Sequence, residues 1–248
     1  MTTALIMAGG RGERLRASGN SLPKPLVPIA GVALLERNLL TLLSAGFRDI
    51  VVAVPSHTPE ISEFVRTRCR MLADARESRL RLFEESSPLG NIGAAAEIAP
   101  SDADRLVVYA DNLTLLDLNA LVDHHTSRGA ALTSAVHWEP FRLPYGEVVV
   151  EDGCIVAYRE KPEQRRLISS GVFVLNATAT SLLPRGRHSD VAWLVNRLLE
   201  EQHTVAAFLH DAPWIDINDA AAVARAEQLV KAHHDEFAVG EHLLERRS

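Results

Sequence analysis

Ala4-Leu5-Ile6-Met7-Ala8-Gly9-Gly10-Arg11-Gly12-Glu13-Arg14-Leu15, followed by Leu22-Pro23-Lys24-Pro25-Leu26, is the stretch on which the reading of this chain turns. An apolar run of strand length opens into three glycines within four positions. Glycine reaches the positive-φ conformations that a β-carbon penalises, so such a loop can turn several backbone N–H groups toward one point. Converging N–H groups make an anion site, and phosphate is its usual occupant. Arg14 adds a planar fork and Lys24 a mobile point charge. Pro23 and Pro25 fix φ on both sides of that lysine and stiffen its segment. The dinucleotide fingerprint requires a glycine where Leu15 stands, and the P-loop requires Gly-Lys-Ser/Thr, so neither pattern is met. The expectation is a triphosphate-binding loop, weighed against a plain glycine-rich turn with solvated cations.

Beyond the loop, Leu35, Leu39 and Leu42 mark one face of a helix, with Gly46 as its stop. Asp49 to Val54 is a β-branched run ended by Pro55, residues 59–72 have helical spacing, and Leu80 to Phe83 is a short strand. Arg66, Arg68 and Arg70 are read as solvated surface. Alternating strands and helices predict a parallel sheet with helices on both faces, and ligands on such sheets sit beyond the carboxyl ends of the strands. Arg105 to Ala110 is the next strand, and Asp111 stands at its tip. A lone aspartate there is more often a turn cap than a ligand. The turn of small residues from Glu85 to Ala95 either lets a flat base approach its backbone closely or is an ordinary turn with Asn91 as the N-cap of the following helix. Tyr145 to Val156 is strand, Asp152-Gly153 turn, strand: an antiparallel hairpin.

With 248 residues, 47% hydrophobic and 5% aromatic, the chain has the material for an aliphatic core. Its formal charge of −6 argues against a broad nucleic-acid surface, so an anionic ligand must meet a local cationic pocket. Cys69 and Cys154 alone give neither a disulfide framework nor zinc spacing. No run is long and apolar enough to suggest a membrane span or a signal peptide, and a cytoplasmic protein is expected.

From Ala8 to Leu26 the sequence resembles the signature of the sugar-1-phosphate nucleotidyltransferases, roughly AGGxGTRLxPLTxxxPKPL. The spacing from Gly12 to Lys24 is kept, with departures at Glu13, Ala17 and Ser18-Gly19. Leu89-Gly90-Asn91-Ile92-Gly93-Ala94 resembles the family's nucleobase element, Glu160-Lys161-Pro162 and Ser170-Gly171 its sugar-phosphate elements, and Trp214-Ile215-Asp216-Ile217 its second metal segment. The short mannose- and heptose-1-phosphate guanylyltransferases are the nearest in character.

The resemblance implies a three-layer α/β/α, Rossmann-like (GT-A-like) fold with a mainly parallel central sheet and a small antiparallel hairpin region. It implies one domain over 1–248, with a nucleotide half at about 1–135 and a sugar-phosphate half at about 136–235, and no C-terminal β-helix. Arg14, Lys24, Asp111, Lys161 and Asp216 would be catalytic. Ala8, Gly9, Gly10, Gly12, Glu85, Pro88, Leu89 and Gly90 would bind the nucleotide. Gly146, Glu160, Lys161, Gly171 and Asn176 would bind the sugar phosphate, and Asp111 and Asp216 would hold Mg²⁺. The implied reaction joins an NTP to a sugar 1-phosphate with loss of pyrophosphate, needs neither nucleic acid nor membrane, and occurs in a protein that can form homo-oligomers. Glu85 leans the base toward guanine, since a carboxylate accepts from N1 and N2. Two other readings stay open: a non-catalytic nucleotide-sugar-sensing relative, and a GT-A glycosyltransferase, which needs an Asp-x-Asp where Asp111-Asn112-Leu113 stands.

Overall fold

The computed structural model describes residues 2–9, 22–98 and 103–238. Strand β1 (Thr3–Met7) is buried along its whole length, as a near-continuous apolar run inside a parallel sheet must be. β2 (Pro28–Ile29) and β3 (Val32–Ala33) form a small hairpin before helix α1 (Leu34–Ser44). β4 (Asp49–Pro55) and β5 (Arg79–Glu85) flank a helix α2 over 59–74, whose middle, Val65–Cys69, is π-helical. β6 (Arg105–Tyr109) and β7 (Asn112–Thr114) follow the short α3 (Ala94–Glu97), and α4 (Leu118–Arg128) leads to β8 (Leu132–Arg142). The hairpin of β9 (Glu147–Glu151) and β10 (Cys154–Arg159) precedes β11 (Glu163–Leu175). The remainder is α5 (Ala177–Leu182), α6 (Val191–Glu200), β12 (Val205–Leu209), β13 (Trp214–Asp216), α7 (Ala220–Ala232) and a short α8 (His234–Ala238).

The main sheet has seven strands in the order β12-β8-β11-β6-β1-β4-β5. β1 is parallel to β4 and β6, β4 to β5 and β8 to β12, while β11 runs against both β6 and β8. Alternate residues feed two cores. Ala4, Ile6, Ile50, Val52 and Val108 pack on Leu35, Leu39, Leu42, Ile61 and Leu121 of α1, α2 and α4. Leu5, Met7, Val51, Val107 and Phe173 pack on Ala94, Ala179, Leu194 and Leu198 of α3, α5 and α6. The period of two along each strand thus produces the three layers. A third cluster (Val27, Ile29, Leu113, Ile217, Ala226 and Val230) seats α7.

The hairpin turn has φ of 48° at Asp152 and 77° at Gly153, the positive pair that a two-residue turn between twisted strands demands. Gly46 takes φ 92° after the last turn of α1, as expected of a helix stop. Among the described residues no helix is long and apolar enough to cross a membrane.

Two local expectations are corrected. Arg68 is not simply solvated: its guanidinium donates to Glu36 of α1 from Nε at 2.9 Å, tying α2 to α1. Asn91 does not cap its own helix. Its Oδ1 accepts from Val191 N–H at 2.8 Å and so caps α6, a partner one hundred positions away.

Candidate active site

Three segments converge at the carboxyl end of β1 and β6. Lys24 lies in a single 3₁₀ turn, Lys24–Leu26, set up by Pro23 at φ −55°. Asp111 is the second residue past β6, and Asp216 closes β13. β13 pairs antiparallel with β7, with Asp216 opposite Asn112, and Ile217 N–H donates to the Asp111 carbonyl at 2.9 Å. That ladder brings the two carboxylates to one place.

Lys24 stands between them. Its Nζ donates to Asp111 Oδ2 at 3.0 Å, to Asn218 Oδ1 at 3.0 Å and to Asp216 Oδ1 at 3.4 Å. Asn218 also donates from Nδ2 to Asp216 Oδ2. The lysine is 6% exposed, and a buried ammonium needs such partners. Burial, and then the neighbouring Asp111 charge, push the Asp216 carboxyl above the ordinary carboxylate range, with Lys24 and Asn218 acting the other way. Among the described residues no three acidic, histidine or cysteine side chains converge. Two carboxylates and an amide oxygen around a cation are hard oxygen donors, a set that fits Mg²⁺, which takes one or two carboxylates and keeps other positions for phosphate and water.

Beside this cluster lies a cavity of about 530 Å³, bounded by Ala8, Gly9, Lys24, Glu85, Pro88, Gly90, Tyr109 and Asp111. Its wall is built by close backbone approach. Gly90 has φ +80°, and a β-carbon there would stand 2.3 Å from the Ser189 carbonyl oxygen. Leu89, behind the wall, is buried. Glu85 is 5% exposed; its Oε2 accepts from Leu89 N–H at 3.3 Å, while Oε1 is buried with no partner among the described residues. Burial holds its carboxyl above the ordinary range, with the Leu89 N–H opposing.

Gly10, Gly12 and Arg14 lie outside the described residues. Gly146 packs against the Tyr158 ring, whose hydroxyl donates to Glu160 at 3.1 Å. This group belongs to the exposed hairpin and does not line the cavity, and neither does Lys161, which is exposed with φ 44°. Gly171, at φ +71°, lies against Asn112, next to Asp111. Asn176 is a correction. Its Oδ1 accepts from Ala179 N–H at 3.0 Å and caps α5. Because β11 is antiparallel to β6, Leu175 pairs with Arg105 at the opposite end of β6 from Asp111, roughly 20 Å away at about 3.3 Å per residue. Sequence reasoning missed Asn218 and Tyr109. For Asn218 the signal was present, a polar residue two positions beyond an expected ligand.

Residues 3–233 match the family described as nucleotidyl transferase. The chain belongs to it. Nucleotidyl transferases similar to it include the mannose-1-phosphate guanylyltransferase catalytic subunit beta of Drosophila melanogaster, 31% identical over 223 residues, covering 87% of this chain and 59% of that one. The UTP–glucose-1-phosphate uridylyltransferase of Synechocystis is 29% identical over 230 residues, covering 86% and 59%. The chain therefore spans 59% of the length of these curated relatives. HddC from Yersinia pseudotuberculosis complexed with GMP-PN superposes with a TM-score of 0.71 over 92% of this chain and 99% of that one, at 21% identity. At that identity the likeness shows the nucleotidyl transferase fold alone.

Proposed function

We propose that this chain joins an NTP, with GTP preferred, to a sugar 1-phosphate, giving an NDP-sugar and pyrophosphate. The observation that carries the reading is the Asp111–Lys24–Asp216 cluster beside a cavity of about 530 Å³ that Lys24 and Asp111 help to line, a size suited to a nucleotide. An oxygen of the sugar phosphate attacks the α-phosphorus. The new P–O bond forms as the bond from the α-phosphorus to the bridging oxygen of the β-phosphate breaks, and pyrophosphate leaves. The nucleophile is already an anion at neutral pH, so no general base is required.

What remains for the protein is to align two mutually repelling anions and to neutralise charge. Asp111, Asp216 and Asn218 would hold Mg²⁺, which when bound offsets the negative charge of the reacting phosphates. Lys24 directs its ammonium to the α-phosphate, Arg14 its guanidinium to the departing pyrophosphate, and Lys161 its ammonium to the acceptor phosphate. Glu85 Oε1, buried without a partner among the described residues, suits a base edge with two adjacent donors. Guanine offers N1–H and N2–H.

Purified protein incubated with Mg²⁺, each of the four NTPs and a panel of sugar 1-phosphates is expected to release pyrophosphate fastest with GTP. No pyrophosphate from any pair ends this reading.

A further inference from the structure

β11 breaks register with β8: Ser169 pairs with Val136, but the next pairing joins Phe173 to Ser134. The carbonyls of an interior strand are shared between its two neighbours, and a register shift leaves residues out of both ladders. Ser170 lies in the stretch paired with neither β8 nor β6 and is 0% exposed, so its carbonyl must find partners elsewhere. It accepts two side-chain donors, Asn112 Nδ2 at 2.8 Å and Trp214 Nε1 at 2.8 Å. The Ser170 hydroxyl meets two further partners, His137 Nδ1 at 2.8 Å and His210 Nε2 at 2.8 Å. The His137 ring in turn lies 4.5 Å from Trp214, centroid to centroid.

The two donors to that carbonyl come one from each strand of the β7–β13 ladder. Asn112 is the neighbour of Asp111, and Trp214 lies two residues before Asp216 on the same face of its strand. One buried backbone oxygen is therefore bonded to both strands that deliver the carboxylates. Gly171 makes room for this: a β-carbon there would stand 2.2 Å from Asn112 Nδ2 and 2.9 Å from Tyr109 Cδ2.

We infer that Ser170 is the positioning residue that sets the span between the Asp111 and Asp216 carboxylates. Its carbonyl holds the two strands in register, and its hydroxyl, gripped by His137 and His210, holds that carbonyl in place. It touches neither substrate nor metal. The inference rests on the proposed function only for its kinetic consequence.

The test uses Trp214→Phe, which keeps the ring and removes the donor, and Ser170→Ala, which keeps the carbonyl and removes the hydroxyl. Mn²⁺ is the probe, its binding followed by water-proton relaxation with and without GTP. Both variants are expected to bind Mn²⁺ at least tenfold more weakly than the wild type and to lose at least tenfold in kcat with KM for both substrates within twofold. Adding Asn112→Ala to Trp214→Phe is expected to cost less than the sum of the two single changes, because the two donors share one acceptor. Folded variants whose Mn²⁺ affinity stays within twofold of wild type overturn the inference, as does a wild type that binds no Mn²⁺ in either condition. A role confined to stability would lower the melting temperature and leave Mn²⁺ affinity and kcat of the folded protein unchanged. A wild type that binds Mn²⁺ in this way yet releases no pyrophosphate would sink the proposed function and leave the inference standing.

Discussion

Lys24 and Asp216 are separated by 192 positions, and the ammonium of the first lies 3.4 Å from the carboxylate of the second. With Asp111 on its other side, the lysine acts as an internal counter-ion in a cluster whose net charge is negative. Lys24→Met leaves two carboxylates facing one another. Breaking a fully buried pair costs about 3–5 kcal/mol. Because Asp111 and Asp216 are 36% and 34% exposed, solvent screening lowers the expected loss to about 1–3 kcal/mol. Added Mg²⁺ is expected to raise the melting temperature of this variant more than that of the wild type, as differential scanning fluorimetry would show.

Asp216→Asn moves the other way. The Asp216 carboxyl is held above the ordinary range by burial and by Asp111, so the folded state binds its proton more tightly than the unfolded state does. Stability from this group therefore rises as pH falls from the raised value toward the ordinary carboxylate range, and it is lost as pH climbs back. The asparagine variant is expected to melt higher than the wild type at neutral pH, by about 2–4 °C for each kcal/mol gained, and to be inactive. Urea titrations across mildly acidic pH are expected to show a smaller pH-dependent gain in the variant. An identical gain in both proteins would refute the assignment.

Glu85→Gln keeps an acceptor for Leu89 N–H and removes the charge from the cavity. A hydrogen bond to a charged group contributes about 1.5–3 kcal/mol, so kcat/KM for GTP is expected to fall roughly ten- to hundredfold. The values for the other NTPs should change little. Equal losses with all four would count against base reading by this residue.

Lys161→Met is expected to raise KM for the sugar phosphate at least tenfold and to leave KM for the NTP unchanged. Steady-state pyrophosphate release with each substrate varied in turn separates the two. An unchanged sugar-phosphate KM would remove Lys161 from the acceptor site.

Gly90→Ala combines a left-handed backbone, φ +80°, with a β-carbon 2.3 Å from the Ser189 carbonyl oxygen. The conformation alone costs about 1–2 kcal/mol for a residue with a β-carbon, and the backbone contact must also open. Chemical denaturation is expected to show a loss of at least that size, and KM for the NTP is expected to rise because Ser189 N–H bonds back to Leu89 behind the cavity wall.

The strands were legible wherever both faces are buried, because Leu5-Ile6-Met7 and Ile50 to Val54 can then be apolar throughout. The leucine spacing of α1 and the Asp152-Gly153 turn were legible for equally local reasons. Contacts across the fold were not. Asn91 spends its side chain on a helix one hundred positions away, and no local pattern encodes that. Asn176 looked like a site residue because the direction of β11 is invisible in its composition. Run antiparallel to β6, it delivers Asn176 to the wrong end of the sheet. That Ser170 falls outside both ladders is likewise a matter of pairing register, which depends on the neighbouring strand as much as on β11.

The sheet order places β1 in the interior between β4 and β6. β4 and β5 reach the ribosome exit soon after it, and with β1 they can pair from nearby sequence. Asp216, by contrast, emerges long after β1, β4 and β6. A nascent chain thus makes β1, β4 and β5 before Asp216 and carries Lys24 without its second carboxylate until synthesis has passed residue 216. A product stalled short of that point would keep most of its core while its lysine-binding cluster stayed half-built.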